Sequence, residues 1–267
     1  MKSSLITQEI NEFGGAVRRY GRIIWALLRR EEESRRQAPM ESILNLLEPV
    51  FLVTLLVLAR WGLERLHGAP LGGSIALFYA TGFFAKYYFI YLSRRMRRSV
   101  DSPARRFPLE QRLDHILVHI ILSTADYLVL GLIGFGFIYV FFTPQALPYN
   151  VVPVIEACLA IIMLGFGWGV LNLVMSKALW FWRYFFPPFN RALVLFSGVF
   201  FIVDFMSPGV RYMLSFNPMV HAIALFRTGF YPNHPTLVLD TRYLAFCAIG
   251  AVVFGLVLER ATRRREG

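Results

Sequence analysis

The sequence predicts an all-α, polytopic membrane protein: six transmembrane helices, an N-terminal interfacial amphipathic helix, and short re-entrant helices before the last span. Three observations carry this. Hydrophobic residues fill 56% of 267 positions with a mean hydropathy of +0.51, too apolar for a soluble domain, whose surface must be largely polar. Long apolar runs alternate with short polar connections. Lys and Arg are distributed unevenly among those connections. The segments assigned to the inner side, 1–40, 93–112, 177–191 and 259–267, hold 8, 7, 3 and 4 of them, totalling 22, whereas the outer ones, 60–70, 143–150 and 207–242, hold 2, 0 and 3, totalling 5. Basic residues near span ends resist translocation, so both termini are expected in the cytoplasm.

The organising stretch is 93–112, SRRMRRSVDSPARRFPLEQR, with seven arginines between two apolar runs. Its SVDSP centre offers Ser, Asp and Pro where a short helix or tight turn can start. The net charge of +11 flanks apolar runs, which points to membrane topology and anionic lipid and not to nucleic acid. Cys158 and Cys247 sit inside apolar runs without CxxC spacing, so neither a disulfide framework nor a metal site is implied. The first apolar patch, 23–28, is six residues bracketed by arginines, too short for a cleavable signal peptide.

Residues 1–42 read as a cytoplasmic N-terminal segment and 43–267 as one transmembrane domain. Val17, Tyr20, Ile24, Leu27 and Leu28 follow helical spacing, with Arg18, Arg22 and Arg29 opposite and Trp25 at the boundary. Such a helix suits the cytoplasmic interface, as a lipid anchor or as a contact for a partner through the RREEESRR run. The first span, 43–59, carries Glu48 and Pro49 in its inner third, where both must face protein or water. Arg60, Trp61 and Arg65 form an outer collar.

The second span, 71–92, holds Tyr79, Phe83 and Tyr87 at four-residue spacing, one aromatic stripe that serves either interhelix packing or stacking of sugar rings. Lys86 is placed to snorkel inward. The third span, 116–142, has Asp126 near its centre; the fourth, 151–176, has Gly165, Gly167 and Gly169, whose two-residue spacing suggests crowding or local flexibility and not a dimer motif. After an aromatic inner loop, 177–191, a short fifth span is expected at 192–206. Residues 207–242, punctuated by Pro and Gly, suit an external re-entrant hairpin, and the last span runs 243–258.

Three stretches carry a family resemblance. RRYGRIIWALLRREEESRR followed by ILNLLEPVF, with Leu47, Glu48 and Pro49, resembles the opening of ABC exporter permeases of type 2. FNPMVHAIALFRTGFYP, at 216–232, resembles the Asn-Pro, His and Phe-Arg pattern of their capsular polysaccharide branch, and LFSGVFFIVDFMSP resembles the segment before its re-entrant helices. Ala224 departs from the acidic residue expected in many relatives. The resemblance covers 17–258 and implies the inner-membrane permease subunit of an ATP-driven exporter of capsular or other, lipid-linked, cell-surface polysaccharide, the alternative cargo being lipid-linked O-antigen or teichoic acid. It further implies a homodimer in the bacterial inner membrane, two copies of a cytoplasmic ATPase subunit, and periplasmic export proteins as further partners. No GxxxxGK[ST] loop occurs, so the chain is expected to bind no cofactor and to be no enzyme, with ATP and Mg held by the ATPase.

By the same resemblance Arg97, Arg98, Asp101, Arg105 and Arg106 lie in or beside the coupling helix that meets the ATPase; their alternative role is topology alone. Glu48 is a candidate pin for the first span, and Asn217, Pro218, His221 and Arg227 either shape the outer mouth or cap short helices. Two rival classes stand beside this reading. A proton-coupled secondary transporter or intramembrane enzyme would use Asp126 with His115 and His119, and a non-transporting scaffold would recruit a complex through the basic loop.

Overall fold

The computed structural model describes residues 20–33, 35–36, 40, 43–44, 47–48, 50–51, 53–55, 71, 74–98 and 112–266, the side chains of 97, 98, 112 and 263–266 excepted. Among the described residues there are helices and turns and no strand. We number α1 (20–33), α2 (the helical residues described between 43 and 55), α3 (Ile75–Arg98), α4 (Arg112–Phe141), α5 (Val151–Ala178), α6 (Trp182–Ala192), α7 (Pro208–Ser215), α8 (Pro218–Thr228) and α9 (Thr241–Glu266). Four are long and apolar enough to cross a membrane: Ile75–Met96, Leu113–Phe141, Val151–Ala178 and Thr241–Thr262.

Local chemistry sets several boundaries. Asn150 caps α5 by accepting from Val152 N–H, and Asn217 caps α8 by accepting from Met219 N–H, with Pro218 in the first turn where its missing N–H costs nothing. Thr143 caps the 3-10 turn Pro144–Ala146 that closes the α4–α5 connection.

α3 is the centre of the bundle. Of its apolar window 89% is buried, against 28% for α4 and 22% for α9. α4, α5 and α8 pack on it, and α5 lies between α3 and α9. The glycines of α5 make that sandwich possible. Gly165 and Gly169, one turn apart, face Leu92 and Met96 of α3, while Gly167, half a turn away, faces the Ala251 backbone of α9. The crowding expected from the spacing is therefore contact within one chain, on two opposite faces of α5.

The expected fifth span is corrected. Residues 192–206 are not a continuous helix: α6 ends at Ala192, and the chain continues through turns to a 3-10 turn at Val203–Phe205. Pro187 and Pro188 inside α6 remove two backbone donors, and Gly198 has φ +75°, a conformation that ends right-handed helix. Residues 182–199 instead lead from one end of α3 to the other. At the end of α3 that leads into the arginine loop, here the basic end, Trp182 Nε1–H donates to Asn172 Oδ1 at 3.0 Å, and Asn172 Nδ2–H reaches Ser93 O at 3.5 Å. At the far end, Gly198 and Val199 lie beside Phe78 O through a shared partner, Arg227. Between Ser93 and Phe78 α3 rises ~22 Å at ~1.5 Å per residue. Turns linking Val194 N–H to Arg191 O, Leu195 N–H to Ala192 O and Ser197 N–H to Val194 O carry the chain over the last part of that distance.

Gly167→Ala would drive a methyl group into the Ala251 carbonyl, backbone that cannot step aside, whereas a Cβ at Gly134 of α4 meets nothing within 4 Å. Gly167→Ala is expected to cost about 1–3 kcal/mol of stability, and Gly134→Ala to cost none, measured as thermal unfolding of the detergent-solubilised protein.

Candidate functional site

Two polar centres occupy opposite ends of α3. At the basic end, consecutive arginines fan out to different neighbours because adjacent helical residues point about 100° apart. Arg94 donates to Glu48 Oε2 of α2 at 2.8 Å, and Glu48 Oε1 also pairs with Arg191 of α6 at 3.3 Å. Arg95 reaches the other way, to Asp126 Oδ2 of α4 at 3.2 Å and Glu31 Oε1 of α1 at 3.9 Å. Asp126 Oδ1 takes a second guanidinium, Arg35 just beyond α1, at 3.0 Å, and Tyr91 O–H donates to Oδ2 at 2.9 Å. His119 Nδ1 lies 3.7 Å from Glu31, and Tyr20 O–H donates to Asp114 at 2.7 Å. Glu48 and Asp126 are thus each shared between two arginines, and Arg94 and Arg95 join both carboxylates to one helix end.

At the far end a single arginine is buried with no carboxylate beside it among the described residues. Arg227, 2% exposed, donates through Nη1 to Gly198 O at 2.8 Å and through Nη2 to Val199 O at 2.8 Å and Phe78 O at 3.3 Å. Its guanidinium also lies 4.0 Å from the Phe78 ring centroid, a cation–π contact that partly replaces lost water. Gly82 leaves the room: a Cβ there would stand 2.7 Å from Arg227 Nη2 and 3.1 Å from Val199 O. Around this clip, His221 accepts from Asp240 N–H at Nδ1, 3.1 Å, so its Nε2 carries the proton and donates to Ser215 O at 2.7 Å. Asn217 spends both ends of its amide, capping α8 and donating to Phe196 O at 2.9 Å. Asp204 Oδ1 accepts from Val238 N–H at 3.0 Å. His234, outside the four candidate spans, donates from Nδ1 to Pro235 O at 2.7 Å. Burial, and secondarily the Arg227 charge, push its imidazole down to about 4, only partly offset by the Pro235 bond and Asp204.

The sequence-expected residues fall as follows. Asn217, Pro218, His221 and Arg227 come together on α8, where each fixes backbone. Glu48 pairs with two arginines. Tyr79, Phe83 and Tyr87, the channel-lining candidates, are 3%, 2% and 5% exposed, running ring to ring inside the chain, with Phe83 edge-on to Phe200 at 5.4 Å. Lys86 is likewise buried, its ammonium 5.0 Å from the Phe89 ring centroid toward the basic end. Asp126 is no lone intramembrane acid, since two guanidinium groups and a phenol hold it. On α1, Arg22 and Trp25 are exposed, and Arg29 stacks over Trp25 at 5.4 Å. Arg18, Pro49, Arg60, Trp61, Arg65, Asp101, Arg105 and Arg106, and the side chains of Arg97 and Arg98, lie outside the described residues. Sequence reasoning missed Glu31, Arg35, Arg94, Arg95 and Arg191 as partners; the Arg94–Arg95 doublet at the start of the basic stretch 93–112 was the available signal. No group of three or more His, Cys, Asp or Glu able to hold a metal occurs among the described residues.

An apolar helical bundle with these features fits a membrane permease, and the family comparison is explicit: residues 22–231 match the ABC-2 type transporter family. The chain belongs to that family, whose members are membrane subunits of ABC transporters; it is therefore a transport subunit and not itself an enzyme, and the family implies an ATPase partner. Among curated proteins it is similar to the capsule polysaccharide export inner-membrane protein CtrC of Neisseria meningitidis serogroup A, 25% identical over 254 residues, covering 89% of each chain.

Removing the Arg227 guanidinium strands three buried carbonyls, each charged hydrogen bond being worth about 1.5–3 kcal/mol. Arg227→Met is expected to destabilise by about 3 kcal/mol or more, and Arg227→Lys, a point charge without the fork, by somewhat less, in thermal unfolding in detergent. Because folding holds His234 neutral, the unfolded chain binds the extra proton between its ordinary 6.5 and about 4. Stability contributed by this residue is therefore intact above 6.5 and declines as pH falls toward 4. His234→Gln should flatten that part of the melting-temperature profile between pH 7.5 and 5.

Proposed function

We propose that this chain is the permease subunit of an exporter that moves lipid-linked cell-surface polysaccharide across the bacterial inner membrane, powered by a separate ATPase subunit. The observation that carries the cargo is similarity to a capsule export protein along 89% of both chains. The transporter class follows from the family; the polysaccharide rests on that relative.

In this reading the domain is 43–267 and crosses six times, through α2, α3, α4, α5, residues 182–199 and α9. An even number of crossings keeps both termini on one side, and the partition of Lys and Arg, 20 inner against 5 outer with Arg183 and Arg191 counted in the fifth crossing, puts that side in the cytoplasm. Shifting the fifth crossing to 182–199 moves Arg183 and Arg191 into it. Arg191 pairs with Glu48, which also holds Arg94, so this arginine stays with the charge cluster at the basic end. Residues 207–242 then form the external re-entrant region, held by Arg227 and His221. Two copies assemble with two ATPase subunits, and the end of α3 with the loop that follows it, carrying Arg97, Arg98, Asp101, Arg105 and Arg106, takes the stroke of the ATPase. The cargo path runs between the copies, since the aromatic stripe of α3 is sealed within each one. The exposed Arg22, Trp25 and Arg29 face of α1 suits anionic lipid at the inner surface.

Deleting the gene in its native host tests the assignment. Surface polysaccharide should disappear and polymer accumulate inside the cell, with recovery on re-expression of this chain only when the partner ATPase retains hydrolysis. Unchanged surface glycan in the deletion strain would overturn the cargo, leaving the transporter class in place.

A further inference from the structure

The ion pairs at the basic end connect parts of the chain that sequence alone keeps apart. α1 meets the bundle at three points along α4: Tyr20 on Asp114 at 2.7 Å, Glu31 near His119 at 3.7 Å, and, following α1, Arg35 on Asp126 at 3.0 Å. The pairs advance together in number, so α1 runs alongside the first half of α4 in the same direction. Leu27 of α1 is 4% exposed. The last of these pairs is the decisive one. Asp126 binds Arg35 and Arg95 at once, with a hydrogen bond from Tyr91, and Arg95 lies three residues before α3 ends at Arg98 and the arginine loop begins. Both arginines are largely buried there, with side chains 18% and 6% exposed, where water screens ion pairs far less than at the surface. Glu31 adds a second tie from α1 to Arg95 at 3.9 Å.

We propose that Asp126 is a positioning residue for transport: it clamps α1 to the root of the arginine loop, so that α1, the end of α3 and the first half of α4 move as one rigid unit when the ATPase displaces the loop. This makes α1 a lever on the bundle and not only a lipid anchor. The inference rests on the loop being the point where the ATPase acts, and it predicts a fault of coupling. Without the clamp the ATPase still turns over while less of its stroke reaches the crossings.

Two measurements on the full permease–ATPase complex test it. In a Cys158→Ser, Cys247→Ser background, Tyr20→Cys with Asp114→Cys, a neighbouring α1–α4 contact that leaves Asp126 and both its arginines in place, should be joined by a short bifunctional thiol reagent with yields within twofold in the nucleotide-free and vanadate-trapped states. A fivefold or greater fall in yield on trapping would overturn the rigid unit, whatever the cargo proves to be. In host cells, Asp126→Asn should lower surface polysaccharide about tenfold while ATPase activity of the purified complex stays within twofold, Asp126→Glu should retain export, and Arg35→Gln should follow Asp126→Asn. Export by Asp126→Asn or Arg35→Gln equal to the parent would overturn the clamp. Absence of surface polysaccharide transport in the parent itself would strike at the cargo assignment, and the cross-linking arm would still decide this one.

Discussion

Arg227 is a charge placed where water does not reach, and the far half of the molecule is arranged to make that tolerable. Transferring a guanidinium out of water is expensive unless its donors are met. Here two of the three acceptors, Gly198 O and Val199 O, exist because the segment after α6 is not helix; carbonyls in a continuous helix would already be engaged. The dependence runs both ways. The break frees backbone oxygens that cannot remain unpaired in an apolar interior, and Arg227 is the donor that satisfies them. Gly82 supplies the clearance on α3 and Phe78 supplies both a carbonyl and a ring face. α8, α3 and the turn at 198–199 are thereby fixed to one another through one side chain, and His221 and Asn217 fasten the remaining backbone of the hairpin around it.

The basic end solves the same problem with opposite means. There the arginines are matched by carboxylates, and each carboxylate is shared: Glu48 between Arg94 and Arg191, Asp126 between Arg35 and Arg95. Sharing ties α1, α2, α4 and α6 to a single turn of α3. A far end bound by backbone acceptors and a basic end bound by ion pairs give α3 two anchored ends with a tightly packed middle. Gly165 and Gly169 let α5 close on that middle, and Gly167 lets α9 close on α5. A force applied at the arginine loop therefore meets a helix already joined to several of its neighbours.

Much of the architecture was legible because hydropathy speaks directly to burial in lipid. Expected spans at 71–92, 116–142, 151–176 and 243–258 correspond to Ile75–Met96, Leu113–Phe141, Val151–Ala178 and Thr241–Thr262. α6 was hidden for an identifiable reason: WFWRYFFPPFNR carries Arg183, Arg191 and two prolines, features of a loop, and the Glu48 that engages Arg191 comes from a distant part of the chain. The aromatic stripe was ambiguous from spacing, since a four-residue repeat places side chains on one face without saying what that face meets. Asp126 misled in the same manner. A carboxylate in an apolar run looks isolated until Arg35, 91 positions away, is seen beside it. The Asn-Pro and Phe-Arg pattern was visible as a motif, but Arg227's carbonyl partners lie 28, 29 and 149 positions distant, a separation no local pattern encodes.

The central claim is that this chain is the membrane half of an ATP-driven glycan exporter and draws its energy from another polypeptide. Inverted inner-membrane vesicles from the native host present the ATPase side to the medium, so ATP can be supplied and the host's own surface glycan followed into the lumen. The account predicts lumenal accumulation that requires ATP, stops with vanadate, and vanishes in vesicles lacking this chain. Accumulation that proceeds equally without the chain, or that follows a proton gradient with ATP absent, would contradict it.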